Sequence, residues 1–208
     1  SLLDWQRAPD GQKEPRFKLE QRKTDQAHIC IGFHSVAADH PDRYALGLLS
    51  SVLGEGMSSR LFLEVRENQG LAYDVHSGAD HMRDCGSFAI YAGVDPKRAA
   101  KAIKTILKVL SEVKDGIPQE EMDKVREFAK GRLLLRMEDT RAVGGWLGSQ
   151  ELLRGEILTV DEVVSRLNAI NPEDLQRVAR QLLREDNLSM SVVGPYRSDR
   201  QFRGLLAL

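Results

Sequence analysis

Cysteine is nearly missing: the 208 residues hold only Cys30 and Cys85, with no C-x-x-C pair. That count excludes a disulfide scaffold and a cysteine zinc cluster. One disulfide between them stays open, but each lies in an apolar, strand-like run ("HICIGF", "CGSFAIYAGV"), so two buried thiols are expected. An excess of one charge is also lacking. Thirty basic residues face 31 acidic ones, for a net charge of -1, which argues against nucleic acid or an anionic membrane as partner. No apolar run approaches the ~20 residues of a membrane span, and none reads as a signal peptide. The five histidines, His28, His34, His40, His76 and His81, include no pair at i,i+4 or i,i+2, and neither H-E-x-x-H nor H-x-x-E-H occurs. No catalytic zinc is therefore expected in this chain. Nucleophile patterns are absent too, since there is no G-x-S-x-G.

What is present suits a folded domain. The sequence is 41% hydrophobic and 29% charged, enough for a core and a solvated surface. The chain opens on Ser1 and a polar "DWQRAPDGQKEP", so residues 1–14 are expected to be a linker in a longer gene product. Residues 15–195 read as one domain and 196–208 as a tail. Alternation predicts strands at "RFKLEQR" (16–22) and "AHICIGF" (27–33). A helix follows through "YALGLLSSVL", stopped by Gly54. "MSSRLFLEVREN" predicts a second, with Met57, Leu61 and Val65 inward and Arg60 paired to Glu64 at i,i+4.

"LAYDVHS" then alternates, placing Leu71, Tyr73 and Val75 on an apolar face and Ala72, Asp74 and His76 on the other. "DCGSFAIYAGV" (84–94) is its predicted antiparallel partner across a "GADHMRD" loop. Pro96 starts a helix with Ile103, Ile106, Leu107 and Leu110 inward and Lys101, Lys104 and Lys108 outward. Pro118 starts the longest helical stretch, expected to loosen at Gly144-Gly145. Thr159 and Glu162 have capping-box spacing, Asn171-Pro172 caps a further helix, and "NLSMSVVG" is the last strand. This order predicts an α+β two-layer sandwich, a mostly antiparallel sheet with helices mainly on one face.

The stretch "LGEGMSSRLFLEVRENQGLAY" (53–73) invites a phosphate-loop reading and fails it. Gly54-Glu55-Gly56 lacks both the third glycine of G-x-G-x-x-G and the lysine of a P-loop, and Glu55 would repel phosphate. The acid pairs Glu120-Glu121 and Glu138-Asp139 read as a helix N-terminus and a solvated face. Arg66, in the last turn of its helix, reads as a cation favoured by the helix dipole. Tyr73 reads as a core aromatic. On the residues alone, these plain roles compete with functional ones.

Residues 53–77, "LGEGMSSRLFLEVRENQGLAYDVHS", closely resemble the pitrilysin/insulinase family of zinc metallopeptidases. The match is to the C-terminal, non-metal half of bacterial, processing-peptidase-like members. "TDQAHICIGFHSVAADHPDRYALGLLSSVLG", "DCGSFAIYAGVDPKRAAKAI" and "LLRGEILTVDEVVSRLNAINPEDLQRVA" extend the likeness over about residues 15 to 195. Its specific part is R-x6-Y with "GLAY". The resemblance implies a partner N-terminal half-domain, in the same or a separate chain, that carries zinc and encloses a peptide chamber with this one. It implies that Arg66 and Tyr73 reach the bound peptide, and that Gly54 and Gly56 line the chamber. No cofactor is implied for this chain itself. A homodimer is a further candidate partner, the compartment is left open between bacterial cytoplasm and periplasm, and a non-catalytic scaffold, like the core subunits of the respiratory bc1 complex, is the alternative reading.

Overall fold

The computed structural model describes residues 11–208; residues 1–10 of the expected linker lie outside that range. Five strands form one mixed sheet: β1 (Arg16–Gln21), β2 (Ala27–Ser35), β3 (Ala72–His81), β4 (Gly86–Val94) and β5 (Leu188–Gly194). Their spatial order is β1-β5-β2-β4-β3. Only the β1–β5 pair is parallel; the others are antiparallel. Helices α1 (Arg43–Gly54), α2 (Ala99–Glu112), α3 (Gln119–Arg136), α4 (Thr140–Arg154), α5 (Val160–Ala169), α6 (Pro172–Leu182) and the short α7 (Arg200–Arg203) complete the fold. The expected α+β sandwich is present.

Alternation sets the two layers. Ile29, Ile31 and Phe33 of β2, Phe88, Ile90 and Ala92 of β4, and Leu188, Met190 and Val192 of β5 are buried. They meet α1, α2 and α6, whose apolar stripes supply Leu46, Leu49, Leu53, Ile103, Ile106, Leu110, Leu175 and Ala179 to the same core. At roughly 1.5–3 kcal/mol per buried large aliphatic, this cluster is the main source of stability. The lysines of α2 point outward as their period predicts. Both predicted caps form. Thr159 Oγ1 accepts from Glu162 N while Glu162 accepts from Thr159 N, and Asn171 and Asp174 repeat the exchange.

The chain end folds back. Phe202 is buried, edge-on to Tyr196 at 4.9 Å and stacked near Phe17 at 5.9 Å. Tyr196 Oη donates to the Pro96 carbonyl at 2.9 Å, and burial pushes its pKa up to about 12.

Four local expectations are corrected. The long helical stretch breaks at Met137–Asp139, where Asp139 accepts from Arg141 N and starts α4. Gly144 and Gly145 stay inside that helix, since a glycine there weakens a helix without ending it. The second helix starts late: Gly56 to Ser59 form a turn closed by Ser59 Oγ on the Gly56 carbonyl at 2.8 Å. Met57 is left 78% exposed, while Leu61 and Val65 are buried. Arg60 reaches across to Glu121 at 2.6 Å rather than to Glu64. Finally, β3 continues through His81, so only 82–85 turn the hairpin.

Candidate functional site

Residues Phe62–Asn68 wind as a π-helix, a wider coil than the predicted α-helix and one that recurs at functional sites. Gly70, in the left-handed region at φ 55°, closes it. Gly70 N donates to the Arg66 carbonyl at 3.0 Å and Leu71 N to the Val65 carbonyl at 2.8 Å. Glycine suits this position because a Cβ would strain it. The turn leading into β3 is pinned from outside. Arg98 donates to the carbonyls of Gly70 at 2.7 Å and Gln69 at 2.9 Å. Glu64 accepts from Asn68 at 3.0 Å and Gln69 at 2.7 Å, and these amides hold its carboxyl below the usual range. Sequence reading missed Arg98, because only the fold brings α2's start to this turn.

The turn carries Arg66 on one side and Tyr73 on the other. Arg66 is half-exposed, its guanidinium 5.0 Å from the centre of the Phe62 ring and its Nε 3.9 Å from Glu67. Tyr73 is 62% exposed, which corrects its expected place in the core. The cause is a β-bulge: Ala72 pairs with Val94 and Asp74 with Gly93, so Tyr73 is the extra residue between successive pairs. A bulge resets alternation. Leu71, Ala72 and Val75 are therefore buried while Tyr73 turns to solvent. Among the described residues, no hydrogen bond, ion pair or ring contact joins Arg66 to Tyr73. Both keep hydrogen-bond donors available to a ligand.

The two glycines separate. Gly54 is buried, and a Cβ there would lie 2.3 Å from Ser77 N and 2.9 Å from His76 C. Its bare backbone lets α1 press on β3, where Ser50 and Ser77 hydroxyls also meet at 3.1 Å. The close approach of Gly54 is thus to the sheet, whereas Gly56 is exposed with φ 86°.

The sheet's other face carries a polar row in register across all five strands: Lys18, Ser191, Cys30, Tyr91 and His76. Tyr91 Oη and His28 Nδ1 are 2.7 Å apart, the His76 and Tyr91 rings lie 5.1 Å apart, and His76 Nδ1 is 3.2 Å from Asp74. Cys30 is exposed here and Cys85 half-buried, both as free thiols. The expected burial fails for Cys30 because it occupies an outward position of an alternating strand. Zinc does not fit these residues. Among those described, no three His, Cys, Asp or Glu side chains converge. His81 Nδ1 is engaged with the Val36 carbonyl and His40 Nδ1 with Asp42 N.

A family model described as the peptidase M16 inactive domain matches residues 2–128. The chain belongs to the peptidase M16 inactive-domain family. It is 38% identical over 189 residues to an uncharacterized zinc protease of Streptomyces coelicolor, covering 90% of this chain and 41% of that protein. It is 38% identical over 190 residues to another of Bacillus subtilis, covering 89% and 46%. The chain thus spans less than half the length of these relatives. The crystal structure of a protease from Helicobacter pylori shares the fold, with a TM-score of 0.81 at 24% identity, covering 93% of this chain and 48% of that one. The M16 inactive domain is the non-metal half that residues 53–77 suggested.

Proposed function

We propose that this chain is the substrate-binding half of a zinc metalloendopeptidase, with Arg66 and Tyr73 holding the peptide. Zinc and its catalytic water belong, on this reading, to an N-terminal half-domain that closes over the same chamber. The Arg66 guanidinium is a donor only, and the Tyr73 hydroxyl can donate. Both can hold a substrate carbonyl and strengthen their bonds as its oxygen gains negative charge, which is how such donors lower a barrier.

The observation that carries the proposal is the bulge at Ala72–Asp74. Alternation alone would bury Tyr73 among the core residues, and the bulge instead presents it to solvent seven residues from Arg66, across a turn that Arg98 clamps. An exposed aromatic and an exposed cation on either side of one clamped turn suit recognition of a ligand. The length of the relatives and their names as zinc proteases support the missing half. The test is cleavage of quenched fluorescent peptides by the full-length protein, with and without a zinc chelator. Chelator-sensitive cleavage is expected. A folded, zinc-loaded sample that cleaves nothing would favour the scaffold reading instead.

A further inference from the structure

On the helical side of the sheet, α1, α3 and α4 line an open cavity of about 620 Å³ against the end of β3. Its floor is apolar, with Leu133, Trp146, Leu153 and Leu167, and its walls carry Arg43, Arg132, Arg136 and Arg154. Two acids also line it, Glu55 and Asp80. Glu55 is already engaged, paired with Arg132 and accepting from Ser51 Oγ at 3.3 Å. Asp80 lies exposed at the end of β3. Positive charge is therefore in excess around an apolar floor.

Two of the arginines are poorly satisfied. Among the described residues, Arg43 donates only to neutral acceptors, the Ala38 carbonyl at 2.9 Å and the Tyr44 hydroxyl at 3.0 Å. Burial pushes its pKa down, and the nearby Arg154 and Arg166 charges push the same way. The Arg154 side chain is only 6% exposed. It donates to Gln150 at 3.1 Å and Glu156 at 2.9 Å, yet its buried Nε has no partner among the described residues. Such an orphaned donor is costly, so an acceptor that met it would bind favourably. Beside it in α4, Gln150 is buried and clasps the Leu158 backbone at 3.2 and 3.3 Å.

We propose that this pocket binds a carboxylate carried on an apolar body, Arg154 and Arg43 taking the carboxylate and the Trp146–Leu153 floor taking the body. The guanidinium fork matches the two oxygens of a carboxylate, and partial burial strengthens the pairing relative to water. A peptide C-terminus ending in an apolar residue and a medium-chain fatty acid both have this chemistry. The inference is independent of the peptidase reading.

Isothermal titration of the full polypeptide containing this chain tests it, using N-acetyl-leucyl-leucine, its C-terminal amide, decanoate and inorganic phosphate. At least one of the two apolar acids should bind, at least about tenfold more tightly than the amide and phosphate, since a charge-assisted pair is worth roughly 1.5–3 kcal/mol. The tighter acid identifies the source. Arg154→Lys keeps the charge and loses the fork, and should weaken the acid about tenfold with the melting temperature unchanged. Lys101→Ala, exposed on α2 and outside the lining, should leave binding intact. Should Arg154→Lys fail to fold, Arg136→Gln on the exposed rim should weaken the acid about threefold, as a surface charge contact of under 1 kcal/mol does. Equal binding of acid and amide, phosphate as tight as the acids, no binding by either acid, or unchanged binding by the folded variants would overturn the proposal.

Discussion

One face of the five-stranded sheet buries Ile29, Ile31, Phe88, Ile90 and Val192 beneath α1, α2 and α6. The opposite face, one residue along each strand, carries Cys30, Tyr91 and His76 in a polar row, with His28 two residues from Cys30 on the same face. The same backbone thus divides its labour by parity. Core volume and hence stability belong to the odd positions of β2, while the even positions hold groups that contribute little to folding and remain open to a ligand. Tyr73 shows what happens when parity is broken: the bulge moves a side chain of the covered face into solvent at the sheet's edge.

Substitutions on the two faces should separate these roles, and the largest effect belongs to the covered one. Phe88→Ala leaves a cavity in the core beside Phe33 and should cost about 3–5 kcal/mol, read as a fall in the denaturation midpoint. A loss under about 1 kcal/mol would mean the core is not where stability lies. Arg98→Met should come next. It frees the turn between Arg66 and Tyr73, costing about 1–2 kcal/mol for two hydrogen bonds to backbone, and should lower peptide turnover more than it lowers stability. Equal losses in both would reduce Arg98 to a structural residue.

Smaller again is the ion pair between the start of α1 and α6. Asp42 accepts from Arg177 at 2.7 and 2.8 Å, and these bonds hold its carboxyl below the usual range. A depressed folded pKa contributes stability that is present above the unfolded value, near 3.9, and is lost as pH falls through the folded value. Because Arg177 is partly exposed, solvent screening limits the pair to about 1 kcal/mol. Asp42→Asn should therefore lower the melting temperature slightly at pH 7 and flatten its fall below about pH 4. An acid limb identical to that of the parent protein would remove the pair from the pH response. Tyr91→Phe, on the open face three residues along β4 from Phe88 and of opposite parity, should cost only about 0.5–1.5 kcal/mol for its bond to His28. A loss rivalling that of Phe88→Ala would abolish the distinction between the faces.

Much of this architecture is legible in residue order because local chemistry and tertiary packing agree. The alternation of "HICIGF", the lysine stripe of α2 and the Thr159–Glu162 box each needed no distant partner. The misread features depend on such partners. Nothing local announces that Ala72 and Asp74 pair with adjacent residues of β4 and so eject Tyr73. Arg60 finds Glu121 only after α3 packs beside it. Gly54 looks like loop glycine until β3 occupies the space where its side chain would be. At the candidate site, the R-x6-Y spacing made Arg66 and Tyr73 visible through family resemblance, whereas Arg98 and the His28–Tyr91 pair emerge only from the fold.

The measurement that bears most directly on the central proposal is turnover of a cleaved peptide by the full-length protein carrying Arg66→Ala, Tyr73→Phe or both, with zinc content and melting temperature recorded alongside. The account predicts that Arg66→Ala lowers turnover about 10²–10³-fold, that Tyr73→Phe also lowers it, and that zinc and stability stay at the parent level. Parental turnover in the folded, zinc-loaded double variant would contradict it.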